Sequence, residues 1–196
     1  MNKTVIVDYE AGNLRSVANM LTFLDVPFEI TSNPEEIIKA DRIIFPGQGH
    51  FAQAMNNLEK KGLIPVIKEA CDKGIPFLGI CIGLQILFEK SEEAIGVQGL
   101  GILEGEVKKF TQGKIPQIGW NKVVPTENNS FLKEDFFYYV NSYYVEPKDE
   151  NIISAYTDYN GKFCASVEKK NIVAVQFHPE KSAQAGLNFF KSWLNK

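Results

Sequence analysis

The heptapeptide Leu78-Gly79-Ile80-Cys81-Ile82-Gly83-Leu84 constrains this chain more than any other stretch, because it reads as a buried strand handing a cysteine to the mouth of a helix. The apolar run Pro76-Phe77-Leu78-Gly79-Ile80 suits a central parallel strand, and Gln85-Ile86-Leu87-Phe88-Glu89 continues as an amphipathic helix, which leaves Cys81 in the tight turn between them. Gly79 and Gly83, two residues to either side, keep that turn small where the two backbones converge and the central residue takes a strained conformation. A helix amino terminus at this point lowers a thiol's pKa and offers the Ile82 N–H as one side of an oxyanion hole. The alternative is a cysteine that only packs. Cys71, inside Val66-Ile67-Lys68-Glu69-Ala70-Cys71, and Cys164, inside Phe163-Cys164-Ala165-Ser166-Val167, both read that way.

A nucleophile needs a base, and the far end of the chain supplies one. Ile172-Val173-Ala174-Val175-Gln176-Phe177 reads as a second buried strand running directly into His178-Pro179-Glu180. His178 then stands at a strand's carboxyl end, where open α/β sheets collect their ligands and catalytic groups. Along an extended chain Glu180 falls on the same side as His178, so its carboxylate can orient and charge-stabilise the imidazole. The chain has only two histidines, and His50 follows a glycine loop where it caps or flanks a helix beginning near Phe51. That loop ends a third strand, Arg42-Ile43-Ile44-Phe45-Pro46-Gly47-Gln48-Gly49, and it can point backbone N–H groups at an anion or simply join strand to helix.

Gly79-Ile80-Cys81-Ile82-Gly83-Leu84-Gln85, Phe177-His178-Pro179-Glu180-Lys181-Ser182 and Pro46-Gly47-Gln48-Gly49, in that spacing and order, resemble the class I (triad) glutamine amidotransferases. Within the family the chain is similar to the glutaminase subunits of imidazole glycerol phosphate synthases. This likeness rests on Asp8-Tyr9-Glu10-Ala11-Gly12-Asn13-Leu14, Ile115-Pro116-Gln117-Ile118-Gly119-Trp120-Asn121 and Tyr138-Tyr139-Val140-Asn141-Ser142-Tyr143-Tyr144, so it covers almost the whole length. The resemblance implies a triad of Cys81, His178 and Glu180, and an oxyanion hole from Gly47, Gln48, Gly49 and Ile82. It implies a glutamine site of Gly49, Gln85, Glu93, Ser142 and Tyr143, and a partner interface near Asn13, Trp120, Asn121 and Lys181. The substrate explains the residue types: an α-amino group calls for a carboxylate such as Glu93, and an α-carboxylate calls for donors from Gln85, Ser142 and Tyr143. Without the family, Glu92 and Glu93 read as a solvated helix end and Trp120 reads equally well as a core aromatic. Gln117 and Asn141 stand where the family often has histidine, and Gln48 replaces a commonly apolar residue; none of the three touches the triad.

The implied partner is a (β/α)8 cyclase subunit that uses ammonia released from L-glutamine to form imidazole glycerol phosphate and an aminoimidazole carboxamide ribotide in histidine biosynthesis. A paralogous glutaminase serving cell-surface sugar amidation is the runner-up within the family. Outside it stand a thiol peptidase or isomerase, which has no need of the His-Pro-Glu and Gly-Trp-Asn segments, and a non-catalytic binding module, to which an intact nucleophile, base and orienter would be superfluous. The resemblance implies no cofactor and no metal.

Organisation agrees with one domain spanning 1–196. The first half alternates strands at 5–8, 28–31, 42–45 and 77–80 with helices at 14–24, 34–39 and 52–73, which predicts a mostly parallel, doubly wound α/β sheet with helices on both faces. Strands at 106–110, 136–141, 152–156 and 163–167 follow without helices and predict an antiparallel second half, and an amphipathic helix closes at 186–194. Three widely spaced cysteines form no disulfide framework and suit a reducing, cytoplasmic setting. The start Met1-Asn2-Lys3-Thr4-Val5 has no signal pattern, no apolar run approaches the roughly 18 residues of a membrane span, and a net charge of −3 argues against nucleic acid as a partner.

Overall fold

Alternating apolar runs and amphipathic stretches build the first half. In the computed structural model, which describes residues 3–10 and 12–195, strands β1 (Thr4–Val7), β2 (Phe28–Thr31), β3 (Arg42–Phe45) and β4 (Phe77–Ile80) are separated by helices α1 (Leu14–Phe23), α2 (Pro34–Ile38), α3 (Phe51–Lys60) and α4 (Leu63–Asp72). Met1, Asn2, Ala11 and Lys196 lie outside the described residues, and with them two positions of the amino-terminal leader reading and one of the Asp8-to-Leu14 segment. All four strands pair in parallel, and β1 and β4 are buried at every position, as continuous apolar runs inside a covered sheet must be. The helix expected over 52–73 is two helices. Gly62 takes φ 67 between them, and Pro65, three residues into α4, could not continue α3 without losing a helical hydrogen bond.

The helix after Cys81 is also shorter than expected. It is a single turn, α5 (Ile82–Gln85), and the next three residues are fully buried in irregular backbone. Their carbonyls are taken by distant amides: Leu100 N–H donates to Ile86 (2.7 Å), Ile102 and Leu103 N–H to Leu87 (2.9 Å each) and Gly101 N–H to Phe88 (3.2 Å). With the acceptors committed elsewhere, the ladder of a longer helix cannot form.

The rest of the chain adds β5 (Lys90–Ser91), β6 (Gly105–Lys109), β7 (Gln117–Pro125), β8 (Asp135–Asn141), β9 (Tyr143–Pro147), β10 (Ile153–Asp158), β11 (Lys162–Lys169), β12 (Ile172–Val175) and a closing helix α6 (Ala183–Leu194). One path of strands runs β2-β1-β3-β4-β12-β11-β10-β7-β8. β12 lies parallel to β4, with Val175 opposite Ile80, and β11 then turns antiparallel, so the last strand is the hinge between the two halves of the sheet. Side chains alternate across it. Val5, Val7, Ile43 and Phe45 pack with Ile37, Leu58 and Ile67 on one face, while Ile6, Ile44, Leu78 and Ile80 pack with Val17, Leu21, Phe189 and Trp193 on the other. Helices therefore cover both faces, as a doubly wound sheet requires.

Candidate active site

Cys81 closes β4 at φ 57 and ψ −107, a left-handed excursion that a non-glycine residue adopts only when its surroundings impose it. Its N–H donates to the Val175 carbonyl at 2.8 Å, and its own carbonyl accepts from the Leu84 N–H at 3.0 Å, so both ends of the turn are fixed. The flanking glycines are required by packing. A side-chain carbon on Gly79 would lie 2.7 Å from the Gly83 carbonyl oxygen, and one on Gly83 would overlap the Phe45 carbonyl. Cys71 and Cys164 are buried in α4 and β11, where burial pushes the Cys71 thiol up to about 12 and the Cys164 thiol higher still.

Because β12 neighbours β4, the residues that follow it arrive beside Cys81. His178 is fully buried and braced: its N–H donates to the Tyr138 carbonyl (2.8 Å), and its carbonyl accepts from the Ser182 hydroxyl (2.6 Å), which itself accepts from the Tyr138 N–H (2.9 Å). Glu180 reaches His178 differently from the extended arrangement expected. Pro179–Lys181 form one 3₁₀ turn, with the Lys181 N–H on the His178 carbonyl at 3.0 Å, because the fixed φ of Pro179 suits the first position of a helical turn. Across this turn His178 Nδ1 and Glu180 Oε1 are 2.7 Å apart, both side chains almost fully buried. Burial disfavours a charged imidazole, but the charge on Cys81 and the hydrogen bond to Glu180 outweigh it and raise His178 to about 10. His178 Nε2 has no hydrogen-bond partner among the described residues, which leaves it free to give or take a proton.

One residue of this cluster escaped the sequence reading. Gln176 is fully buried, and its amide nitrogen stands 3.6 Å from the Cys81 sulfur while its oxygen accepts from Gln85 Nε2 at 3.0 Å. A polar residue inside an otherwise apolar strand was the available signal.

A cavity of about 410 Å³ opens at this point. Cys81, Ile82 and His178 meet the exposed Gln48 and Gly49 there, and Gln85, Glu93, Ser142 and Tyr143 line it as well. Gln85 is anchored through Nε2 to the Tyr143 carbonyl at 3.2 Å. Glu93 is no solvated helix end, since it accepts the Phe51 N–H at 2.7 Å while facing the cavity. His50 Nδ1 accepts from the Ala52 N–H at 3.2 Å and so caps α3. Gly47 is buried beneath the loop and Gly49 takes φ 114. Gln117 and Asn141 face each other across β7 and β8; both are buried, and both ends of the Gln117 amide and the Asn141 oxygen have no hydrogen-bond partner among the described residues. Among the described residues no group of three or more His, Cys, Asp and Glu side chains is placed to hold a metal ion.

The four residues assigned to an interface separate. Asn13 donates its amide to Glu180 Oε1, inside the cluster. Lys181 lies on the rim of the cavity. Trp120 is 53% exposed, edge-on to Tyr138 with ring centroids 6.0 Å apart, so it is not a core residue. Asn121 points to the opposite face of the hairpin by strand alternation and bonds the Asp158 carbonyl at 2.7 Å.

This fold and this grouping of residues accompany a sequence match over residues 5–194 to the class-I glutamine amidotransferase family, and the chain belongs to that family. Over nearly its whole length it is similar to curated proteins named imidazole glycerol phosphate synthase subunit HisH: 43% identical to the one from Moorella thermoacetica, covering 98% of this chain and 94% of that one, and 46% identical to the one from Aquifex aeolicus, covering 99% and 97%. Among solved structures, a glutamine amidotransferase matches with TM-score 0.79 at 17% identity over 97% of both chains. PurLQS from Thermotoga maritima matches with TM-score 0.75 at 18% identity over 98% of this chain and 97% of that one, a likeness of fold. No helix among the described residues is long and apolar enough to cross a membrane.

Proposed function

We propose that the chain is the glutaminase subunit of imidazole glycerol phosphate synthase, hydrolysing L-glutamine to glutamate and ammonia for a cyclase partner of (β/α)8 fold in the cytoplasm. The observation that carries this reading is the meeting of a strained Cys81 with a His178 held by Glu180 at one wall of a cavity lined by Gln85, Glu93, Ser142 and Tyr143. The names of its relatives support the pathway.

The Cys81 thiolate attacks the side-chain amide carbon of glutamine. Negative charge gathers on the former carbonyl oxygen, where N–H groups of Ile82 and the loop 47–49 stabilise it. His178 Nε2 gives its proton to the departing nitrogen, ammonia leaves, and a γ-glutamyl thioester remains. Water then attacks the thioester carbonyl while His178 takes its proton, and the collapse of that intermediate returns glutamate and the Cys81 thiolate. Glu180 keeps the imidazole oriented throughout, with Asn13 holding the same carboxylate oxygen. Glu93 suits the substrate's α-amino group and Ser142 and Tyr143 its α-carboxylate. Ammonia set free in water at neutral pH is mostly ammonium and no nucleophile, which is the chemical reason for delivery straight into a partner.

The partner surface is the exposed face of the β7–β8 hairpin, with Ile118, Trp120 and Phe136 more than half exposed, together with Lys181 at the cavity rim. The test of the assignment is Cys81→Ser. Glutamine-dependent formation of imidazole glycerol phosphate by the reconstituted complex should fall by at least 10³-fold, a loss in keeping with removal of a nucleophile. Synthesis from added ammonium salt should continue. Appreciable turnover of glutamine by the variant would remove Cys81 from the mechanism.

A further inference from the structure

A buried hydroxyl without a partner lies at the seam of the site. Tyr9 is fully buried, its ring stacked on Phe45 with centroids 4.5 Å apart, and its Oη makes no hydrogen bond among the described residues. An interior phenol left unpaired is costly, because it has surrendered its water without replacement. The oxygen sits directly against Gly47, since a side-chain carbon built on that glycine would overlap both Tyr9 Oη and Ile82 Cγ2. It thus stands against the loop 47–49, one of the two arms assigned above to the oxyanion, beside the side chain of Ile82, whose N–H is the other. Burial, and next the charge of Cys81, hold the phenol well above its usual pKa, so it stays a donor at working pH.

Peptide planarity says what such a donor can do. A peptide unit that turns its N–H toward the cavity must turn its C=O the opposite way. Gln48 and Gly49 face the cavity, whereas Gly47 and Tyr9 are buried behind it, so that carbonyl swings inward. An inward carbonyl without a donor is disfavoured, and Tyr9 Oη is the unpaired donor waiting there. Glycines at 47 and 49 make the rotation sterically open. We infer that Tyr9 is a positioning residue whose hydroxyl donates to a carbonyl of the loop 47–49 when that loop turns its N–H groups onto the oxyanion, and so sets the fraction of sites competent for catalysis. This rests on the reading of the loop as an oxyanion arm.

The experiment is Tyr9→Phe in the full chain, alone and with the cyclase subunit, read by ammonia release from glutamine. The ring and its stacking are kept, so the fold is retained. The expected result is a fall in kcat of tenfold or more, with the KM for glutamine and the rate of Cys81 alkylation by iodoacetamide both within twofold of wild type. The thermal midpoint should stay level or rise, because an unpaired buried hydroxyl has been removed. An unchanged kcat overturns the inference. So does a fall in alkylation parallel to kcat, which would assign the hydroxyl to the thiolate, or a lowered midpoint, which would assign it to the fold. Absence of ammonia release from the wild-type complex would overturn the glutaminase reading itself, and the inference with it.

Discussion

At the scale of single residues the site is a competition between burial and charge. His178 lies in an interior that disfavours an imidazolium, yet Cys81 and Glu180 raise its pKa from 6.5 to about 10. Replacing Cys81 by alanine removes the larger of those two charges and leaves the burial, so His178 should titrate at lower pH in the variant, as followed by imidazole proton or nitrogen shifts in NMR. The stability consequence has a definite sign. A group whose pKa is higher folded than unfolded favours folding below its unfolded value and loses that contribution as pH rises through its folded one. The denaturant midpoint of the wild type should therefore decline between pH 6.5 and about pH 10, and Cys81→Ala should show a smaller decline across the same window.

At the scale of elements, the contact between β4, α5 and β3 depends on two missing side chains. A Cβ at position 83 would overlap the Phe45 carbonyl, a backbone atom at the buried end of β3 that cannot swing aside as a flexible side chain would. Gly83→Ala should cost about 1–3 kcal/mol, the usual range for overpacking a core. In a chain of this length that lowers the thermal midpoint by roughly 2–12 °C, measurable by calorimetry or circular dichroism. Because Cys81 sits in the same turn, glutaminase activity should drop at temperatures where the variant is still folded. Element boundaries were legible wherever local signals were strong: β2, β3 and β4 fall where the apolar runs placed them. They failed where distant partners decided. β7 was not expected, since Gln117, Gly119, Asn121 and Pro125 interrupt its pattern, and it exists because β8 and β10 offer it partners on both sides.

At the scale of the whole molecule, the exposed aromatic face of the β7–β8 hairpin is the surface proposed for the partner. Trp120 and Phe136 are each 53% exposed, and Tyr138, against which Trp120 packs, also accepts the His178 N–H through its carbonyl. The face proposed above for docking and the base therefore meet at Tyr138 of β8, through its ring on one side and its carbonyl on the other. Trp120→Ala should leave the thermal midpoint of the isolated chain within about 2 °C, since a half-exposed side chain contributes little to the core. It should weaken association with the cyclase by about 30-fold or more in titration calorimetry, as loss of a tryptophan worth about 2 kcal/mol at an interface does. Unchanged affinity would move the interface to another face.

The sequence by itself determined the parts that depend on neighbours in the chain. A cysteine between two glycines, after an apolar strand, can hardly avoid the strained turn it takes, and Pro179 fixes how Glu180 returns to His178. Only the tertiary structure decided what meets that turn. The insertion of β12 beside β4 brings His178 to Cys81 across nearly a hundred residues, carries Gln176 to within 3.6 Å of the sulfur and closes Asn13 onto Glu180. Strand pairing of that kind is a contest among many partners for the same backbone donors and acceptors, and burial of both sheet faces settles it; no short stretch of sequence contains the outcome.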